Sequence, residues 1–272
     1  MTYEATEISV EAGSPVELYE FNWQTYYYRY TSAASPVVRL GNTFEPLPLR
    51  RSALTNSGQF DANTLRLEAF RSFPIADLFR VQPPSGVVSL VIYRRHTEDA
   101  DAEFALVWSG RVLSAAWNGN MVEVECEPIT VSLKRPGLRR HYQKTCPHVL
   151  YGPGCRLVAS AHAHTATTFG VNGLQLTVAD FVGFVDGYFA GGYIEYTSTI
   201  DGSTEFRSVV SSSTGVLVLT MPPLGLAGAG QVKAYRGCAH TVPACVSFNN
   251  LPNYGGQPYI PTKNPFGGSS IY

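Results

Sequence analysis

The chain is 272 residues long, enough for two domains and a sizeable hydrophobic core. Charged residues make up only 15% of it, against roughly 25% in typical soluble proteins, so we expect other subunits to cover part of its surface. A net charge of −1 excludes a global basic field that would draw the chain to nucleic acid or to a membrane surface. The sequence has no run of about 18 apolar residues, so we expect no membrane span.

Strand patterns dominate the first half of the chain. Runs of β-branched and aromatic residues, separated by turn residues, predict strands at 15–21, 26–32, 63–70 and 86–96. Residues 103–128 are typical of a hairpin, with Asn118-Gly119 as its tight turn. A short helix is predicted at 74–81, where Pro74 occupies the first position.

A second β-rich region spans roughly 168–236 and contains a hairpin around Asp201-Gly202. The tail, 248–272, has proline, glycine and aromatic residues without periodicity, and its aromatic content favours packing across a surface. These patterns together predict an all-β fold.

The predicted organisation has two parts. Residues 1–133 form an N-terminal β domain, and 134–272 form a C-terminal region. The C-terminal region comprises a cysteine-bearing junction, a small β-barrel-like module inserted at about 160–236, and the irregular tail.

One of the five cysteines differs from the others. In MVEVECEP, Val122, Val124 and Cys126 fall on one face of a strand, and the glutamates between them fall on the other. We therefore expect Cys126 to be a core residue that behaves as a small hydrophobe.

The other four cysteines form two pairs: Cys146 with Cys155, and Cys238 with Cys245. Each has proline or glycine within two positions, as in loops that wrap a metal centre. Residues 1–13 lack the apolar core of a secretory signal, so we expect a reducing cytosol, where disulfides are disfavoured. Four thiolates suit a tetrahedral zinc or an iron–sulfur cluster. Gaps of eight and six residues exceed the usual zinc spacing and favour a larger inorganic body, while zinc and disulfides stay open as alternatives.

Two segments of the sequence resemble a known protein family: CEPITVSLKRPGLRRHYQKTCPHVLYGPGC at 126–155 and GCAHTVPACVSFNNLPNYGGQPYIP at 237–261. Both are similar to a family of phage tail-tip proteins, which includes the iron–sulfur minor tail protein of lambda-like siphophages and a hub component of gene transfer agents. The matching features are the cysteine spacings, Phe-Asn-Asn, Tyr-Gly-Gly and the closing proline. About half of the chain is covered directly, and the N-terminal part matches only in its strand-rich character.

This resemblance implies a structural subunit of a phage tail tip or baseplate hub, located in the virion and assembled in the host cytoplasm. It implies a [4Fe–4S] cluster on Cys146, Cys155, Cys238 and Cys245, and not on Cys126. The implied partners are further copies of the chain, as a trimer around the tail axis, and other tail proteins of the distal-tail, receptor-binding hub and tape-measure types. It also places the subunit close to DNA during ejection. The long stretch between the cysteine pairs departs from some relatives, in which it is much shorter.

Other polar residues have simpler interpretations. His148 and His240 each follow a paired cysteine by two positions and are expected to support the site or face solvent, because four cysteines suffice as ligands. His162 and His164, in ASAHAHTATT, are expected in an exposed loop rather than a metal site. The acidic stretch 97–103 lacks the glycine and closing glutamate of a calcium loop and is predicted to be a solvated hairpin tip.

Five basic residues lie close together in the sequence: Lys134, Arg135, Arg139, Arg140 and Lys144. They favour contact with carboxylates of a neighbouring subunit, with DNA in a tail channel as the alternative. Motifs of hydrolases, P-loop proteins and zinc proteases are missing, so we expect no enzyme. A zinc-stabilised binding module and an iron–sulfur electron-transfer protein are the alternative functions.

The tail contains four aromatic residues expected to anchor assembly: Phe248, Tyr254, Tyr259 and Phe266. Ending the chain after Cys245 is therefore expected to keep the cluster ligands but to abolish infectious particles.

Overall fold

The structure is a computed structural model that describes residues 3–8, 13–54, 64–97, 103–137 and 140–261. The fold is all-β, with 41% strand and 13% helix, and its sheets include a curled half-barrel. The predicted fold class is therefore confirmed. Two compact units make up the chain, Met1–Pro136 and Gly137–Tyr272.

The first unit is built on a nine-stranded sheet with the order β3-β4-β2-β1-β7-β8-β9-β6-β5. Its strands are β1 (Pro15–Trp23), β2 (Tyr26–Thr31), β3 (Val37–Arg39), β4 (Asn42–Pro46), β5 (Arg50–Arg51), β6 (Leu65–Phe70), β7 (Val88–His96), β8 (Ala105–Asn118) and β9 (Met121–Pro128). Two short helices accompany them, α1 (Tyr3–Ile8) and α2 (Pro74–Asp77), followed by a 3₁₀ turn at Ile129–Lys134. Neighbouring strands are antiparallel except β2 and β4.

Alternating apolar residues explain why these strands form. Leu65, Leu67 and Ala69 of β6 point into the core, and the residues between them are exposed. Large aromatic residues of β1, among them Phe21 and Trp23, fill the centre of this core. The four strands predicted in this unit are confirmed.

Two local predictions in this unit need correction. The β8–β9 hairpin exists, but Asn118 pairs with Met121, so its two-residue loop is Gly119-Asn120. Gly119 has a φ of 58°, which glycine adopts without a steric penalty. The helix predicted at 74–81 starts at Pro74 but ends at Asp77, because tighter i to i+3 hydrogen bonds from Phe79 and Arg80 follow it.

Cys126 lies in β9 and is fully buried in the core of the first unit, as predicted. Burial raises the pKa of its thiol to about 12, with a smaller contribution from the Glu125 carboxylate. It pairs with Leu65 on one neighbouring strand and Val112 on the other. A protonated thiol in this position is a packing group.

Cys126→Ala is expected to lower the free energy of unfolding by about 1 kcal/mol or slightly more, because it leaves a small cavity. Chemical denaturation measures this change. The metal content of the purified variant should equal that of the wild type. Cys126 lies in the core of the first unit, whereas the paired cysteines lie in the second unit. Loss of iron from a variant that remains folded would contradict the assignment.

The second unit is built on a seven-stranded sheet with the order β10-β16-β13-β14-β15-β12-β11. Its strands are β10 (Ala163–Ala166), β11 (Phe169–Asn172), β12 (Gln175–Val178), β13 (Tyr193–Thr197), β14 (Thr204–Ser213), β15 (Val216–Leu219) and β16 (Val232–Tyr235). Helix α3 (Val242–Ser247) follows, and 3₁₀ turns occur at Ala159–His162, Ala179–Phe181 and Leu251–Asn253. The described part of the chain has no helix long and apolar enough to cross a membrane.

The predicted hairpin around Asp201-Gly202 is confirmed as β13 and β14. The Asp201 carboxylate accepts a hydrogen bond from the Ser203 N–H at 3.1 Å, which closes the loop. Leu176, Ile194 and Leu217 are among the fully buried residues of the separate core of this unit.

The prediction of an exposed loop at 159–168 is wrong. His162 ends a 3₁₀ turn and His164 lies in β10, and both side chains are half-buried. The His162 ring contacts Tyr151 and Phe248, while the His164 ring packs on Phe184 and other aromatic rings. Burial lowers the pKa of both imidazoles, because it disfavours their charged form.

Candidate metal centre

All four paired cysteines line one pocket of the second unit. Cys146 and Cys155 precede the inserted sheet, Cys238 follows β16, and Cys245 lies in α3. The insert returns its ends to one place because β10 and β16 are hydrogen-bonded neighbours. The sequence separation between the pairs is therefore no obstacle to a shared site.

Direct hydrogen bonds join the two cysteine-bearing segments. The Cys146 N–H donates to the carbonyl oxygen of His240 at 2.8 Å, and Nδ1 of His240 lies 3.0 Å from the Cys146 carbonyl oxygen. On the other side, Nδ2 of Asn250 donates to the Cys155 carbonyl oxygen at 2.7 Å. The backbones that carry the four thiols are thus fixed relative to each other.

Several N–H groups point at the sulfur atoms. The Gly255 N–H lies 3.4 Å from Sγ of Cys146, and the His240 N–H lies 3.3 Å from Sγ of Cys238. Nδ2 of Asn250 is 3.7 Å from Sγ of Cys155. Donors in this arrangement stabilise negative charge on sulfur and tune a bound metal group.

Burial raises the pKa of the Cys238 and Cys245 thiols, and the other cysteines of the pocket raise it further through charge repulsion. The His240 N–H opposes this effect at Cys238. Both causes favour the neutral thiol, so thiolates here would need a bound positive charge to balance them. The pocket therefore suits a positively charged metal group that replaces the thiol protons.

Among the described residues, no three histidine, cysteine, aspartate or glutamate side chains are close enough together to hold one metal ion. Zinc–sulfur bonds are about 2.3 Å long, so four zinc ligands converge tightly on one point. The four thiols line one pocket, and both a zinc ion and a four-thiolate cluster use such a ligand set.

His148 packs at the edge of the pocket between two glycines. A Cβ on Gly154 would lie 2.7 Å from the imidazole ring, and a Cβ on Gly255 would lie 2.6 Å from it. Nδ1 of His148 is 3.1 Å from the Asn253 carbonyl oxygen, and Nε2 is 2.6 Å from the Arg140 guanidinium. His148 and His240 both line the pocket, and each has a ring nitrogen next to a backbone carbonyl.

The loops of the pocket hold unusual backbone conformations. Tyr151, Arg156, His240 and Asn249 all have φ angles between 53° and 60°, a region that residues other than glycine seldom adopt. Each lies within four residues of a paired cysteine. Strain of this kind persists only where the surrounding contacts enforce it, and it is concentrated at functional sites.

Tyr151 and Arg236 attach the pocket to the inserted sheet. The Tyr151 hydroxyl donates to the Arg236 carbonyl oxygen at 2.7 Å, and its ring packs against Tyr193 and Tyr235. The Arg236 guanidinium lies 3.9 Å from the centre of the Phe248 ring and donates to the Ser247 hydroxyl at 2.8 Å. Sequence reasoning missed both roles, because neither residue has a motif that indicates them.

The segment after α3 completes the pocket. Phe248, Asn250, Asn253 and Tyr254 line the pocket together with the cysteines. Ending the chain after Cys245 therefore removes part of the site itself. Tyr259 is 97% exposed, and Phe266 lies outside the described residues.

The basic stretch at 134–144 is divided between the two units. Lys134 and Arg135 belong to the first unit, and Arg140 and Lys144 belong to the second. Arg140 contacts His148, and the Lys144 carbonyl oxygen accepts a hydrogen bond from Tyr254. Arg139 lies outside the described residues.

These features define a two-unit, all-β protein with a four-cysteine pocket. The family model described as "Phage conserved hypothetical protein BR0599" matches residues 187–264, a segment that includes Cys238, Cys245 and α3. A chain in a solved structure, "Virion of native gene transfer agent (GTA) particle", is similar over 99% of both chains, with a TM-score of 0.77 and 18% sequence identity. At this identity the likeness shows the fold alone. No curated protein matches the chain.

Proposed function

We propose that this chain is a structural subunit of a phage-type virion, in the tail tip or baseplate hub, and that its four paired cysteines hold one [4Fe–4S] cluster. The observation that carries the proposal is the single pocket lined by Cys146, Cys155, Cys238 and Cys245, which come from two distant segments. A half-buried four-thiol site with N–H groups directed at its sulfurs fits the ligand set of such clusters.

The virion role draws on three separate lines of support. The fold is similar over nearly its full length to a chain of a gene transfer agent virion. A phage family matches the region around the second cysteine pair. The sequence motifs at 126–155 and 237–261 resemble those of tail-tip proteins.

A bound cluster would cross-link the two cysteine-bearing segments and supply one-electron redox chemistry. The residues of the chain have simpler tasks. Asn250 and the backbone of His240 hold the loops together, and Gly255 and His240 direct N–H groups at sulfur. Phe248 and Tyr254 cover the pocket. We assign the chain no catalytic role and regard the site as structural.

The proposed partners follow from the same role. We infer a homo-oligomer, a trimer around the tail axis, in contact with distal-tail, receptor-binding hub and tape-measure proteins and close to the path of ejected DNA. The low charge content of the chain, 15%, fits a subunit whose surface is largely covered.

Anaerobic purification followed by iron, sulfide and zinc analysis tests the cluster. We expect about four iron and four sulfide per chain and a broad absorbance near ~400 nm that dithionite bleaches. Cys146→Ser, Cys155→Ser, Cys238→Ser and Cys245→Ser should each lose most of the iron, with Cys126→Ala as the matched control. Stoichiometric zinc without iron or sulfide would refute the cluster and favour a zinc-stabilised module.

The location of the protein tests the virion role separately. Purified particles should contain the chain in fixed proportion to other tail proteins. A cluster-bearing chain that is absent from particles would instead favour an electron-transfer protein.

A further inference from the structure

The charged residues of the second unit are distributed unevenly. No aspartate or glutamate occurs in 137–179 or in 206–272, the segments that carry the four paired cysteines, whereas arginine and lysine occur in both. Every carboxylate side chain of the unit lies in 180–205, within the inserted sheet region. Basic and acidic charges are therefore segregated within one compact unit, so one copy can complement another.

The exposed side chains next to the cysteine pocket form a basic surface: Arg140, Tyr142, Lys144 and Tyr259. The Gln257 N–H donates to the Gln143 carbonyl oxygen at 2.7 Å and so holds the segment of Tyr259 against that of Lys144. Tyr142 and Tyr259 are 84% and 97% exposed. Exposed aromatic rings beside cations are typical of interface anchors.

The connection between β12 and β13 carries an acidic surface, whose members are all exposed: Asp180, Val182, Val185 and Asp186. Two of these residues contact the turn between β14 and β15. The Thr214 N–H donates to the Asp186 carboxylate at 3.2 Å, and a Cβ on Gly215 would lie 2.8 Å from the Val182 side chain. Val182 and Val185 are 55% and 73% exposed. Both surfaces thus combine exposed apolar side chains with charge, and the signs of their charges are opposite.

The two surfaces do not pair with each other within one copy. Among the described residues, no hydrogen bond or ion pair joins them, and no carboxylate pairs with Arg140 or Lys144. The Gly187 N–H donates to the Ser212 carbonyl oxygen at 2.7 Å, which anchors the acidic loop. Because both loops are held by backbone hydrogen bonds, their charges are available to a second copy.

We propose that the basic surface of one copy of this chain binds the acidic surface of the next, with Tyr142 and Tyr259 packed against Val182 and Val185. The two surfaces differ, so the contact is heterologous, and repetition closes a ring when the rotation allows it. This inference rests on the proposed role as a subunit of a homo-oligomer and names the contact. It involves no cysteine, so the iron content and the presence of the chain in particles are tested independently of it.

Charge reversal in the full-length protein tests the contact. The basic-surface variant is Arg140→Glu with Lys144→Glu, the acidic-surface variant is Asp180→Lys with Asp186→Lys, and the swap variant carries all four changes. Light scattering over a concentration series at low ionic strength gives the mass and the association constant of each. Circular dichroism and urea denaturation verify that each is folded.

Two further variants complete the set. Arg50→Glu with Arg135→Glu, on exposed arginines of the first unit, matches the change in net charge of the basic-surface variant. Tyr259→Ser removes an apolar anchor whose side chain is almost fully exposed, so it should leave the fold of a single copy unchanged.

We expect the wild type, the net-charge control and the swap variant to form the same oligomer. The basic-surface and acidic-surface variants should associate at least ~100-fold more weakly, because like charges would then oppose each other. Tyr259→Ser should weaken association by ~10-fold or more. A monomeric wild type overturns the proposal, and so does a swap variant that remains dissociated. Weaker association in only one of the two charge-reversal variants, or wild-type association of Tyr259→Ser, also overturns it.

Discussion

Gly237→Ala is expected to abolish binding of the proposed cluster and to lower the free energy of unfolding of the second unit by about 3 kcal/mol or more. A Cβ at Gly237 would lie 1.9 Å from the carbonyl oxygen of Ala190 and 2.8 Å from the backbone nitrogen of Gly192. These are backbone atoms, so no side-chain rotation relieves the overlap. Gly237 also donates its N–H to the Tyr188 carbonyl oxygen at 2.9 Å and directly precedes Cys238.

The steric origin of this effect can be separated from any general effect of alanine. Gly170 lies in β11 of the same unit, and a Cβ there would have no heavy atom within 4 Å. Gly170→Ala should therefore change stability by no more than ~0.5–1 kcal/mol and leave the iron content unchanged. Urea denaturation and iron analysis of the two variants provide the comparison. Wild-type stability and iron content in Gly237→Ala would show that the backbone contact is not required.

Strand prediction succeeded where one face of a strand is buried and the other is exposed. In β9, Val122, Val124 and Cys126 are buried and alternate with glutamates, so the pattern indicates both the strand and its inner face. The short strands β3 and β5 have three and two residues. A period of two cannot be recognised over such lengths, and these strands exist because longer neighbours pair with them.

Prediction failed where tertiary contacts decide the local structure. His162 and His164 follow a polar, small-residue pattern typical of a loop, yet rings contributed by distant residues such as Tyr151 and Phe184 bury them. The hairpin turn was displaced by one residue for a different reason. Glycine was recognised correctly at position 119, but sequence alone does not determine whether it takes the first or the second loop position.

The candidate site was partly predictable. Proline and glycine beside each paired cysteine indicated loops that hold a metal group, and the structure places all four thiols around one pocket. The identity of the bound group stays a prediction, because thiol spacing and pocket shape constrain it only indirectly. The supporting contacts of Tyr151, Arg236 and Asn250 depend on pairing between distant segments, which no local pattern encodes.

Two truncations are expected to separate the site from assembly. Ending the chain after Cys245 removes Asn250 and Gly255, which contact Cys155 and Cys146. It also removes Phe248 and Tyr254 from the pocket lining. This chain should lose its iron and fail to support infectious particles, so it cannot distinguish the two roles.

Ending the chain after Pro261 spares every residue that lines the pocket and removes 262–272, including Phe266. We expect this shorter chain to keep wild-type iron and sulfide but to leave tails arrested early in assembly, because aromatic anchors contribute most to interfaces. Complementation of a deletion mutant, with infectious titre and electron microscopy of tails, measures this outcome. Normal tails built from the shorter chain would place the assembly contacts upstream of residue 262, and loss of iron would show that the last eleven residues support the pocket.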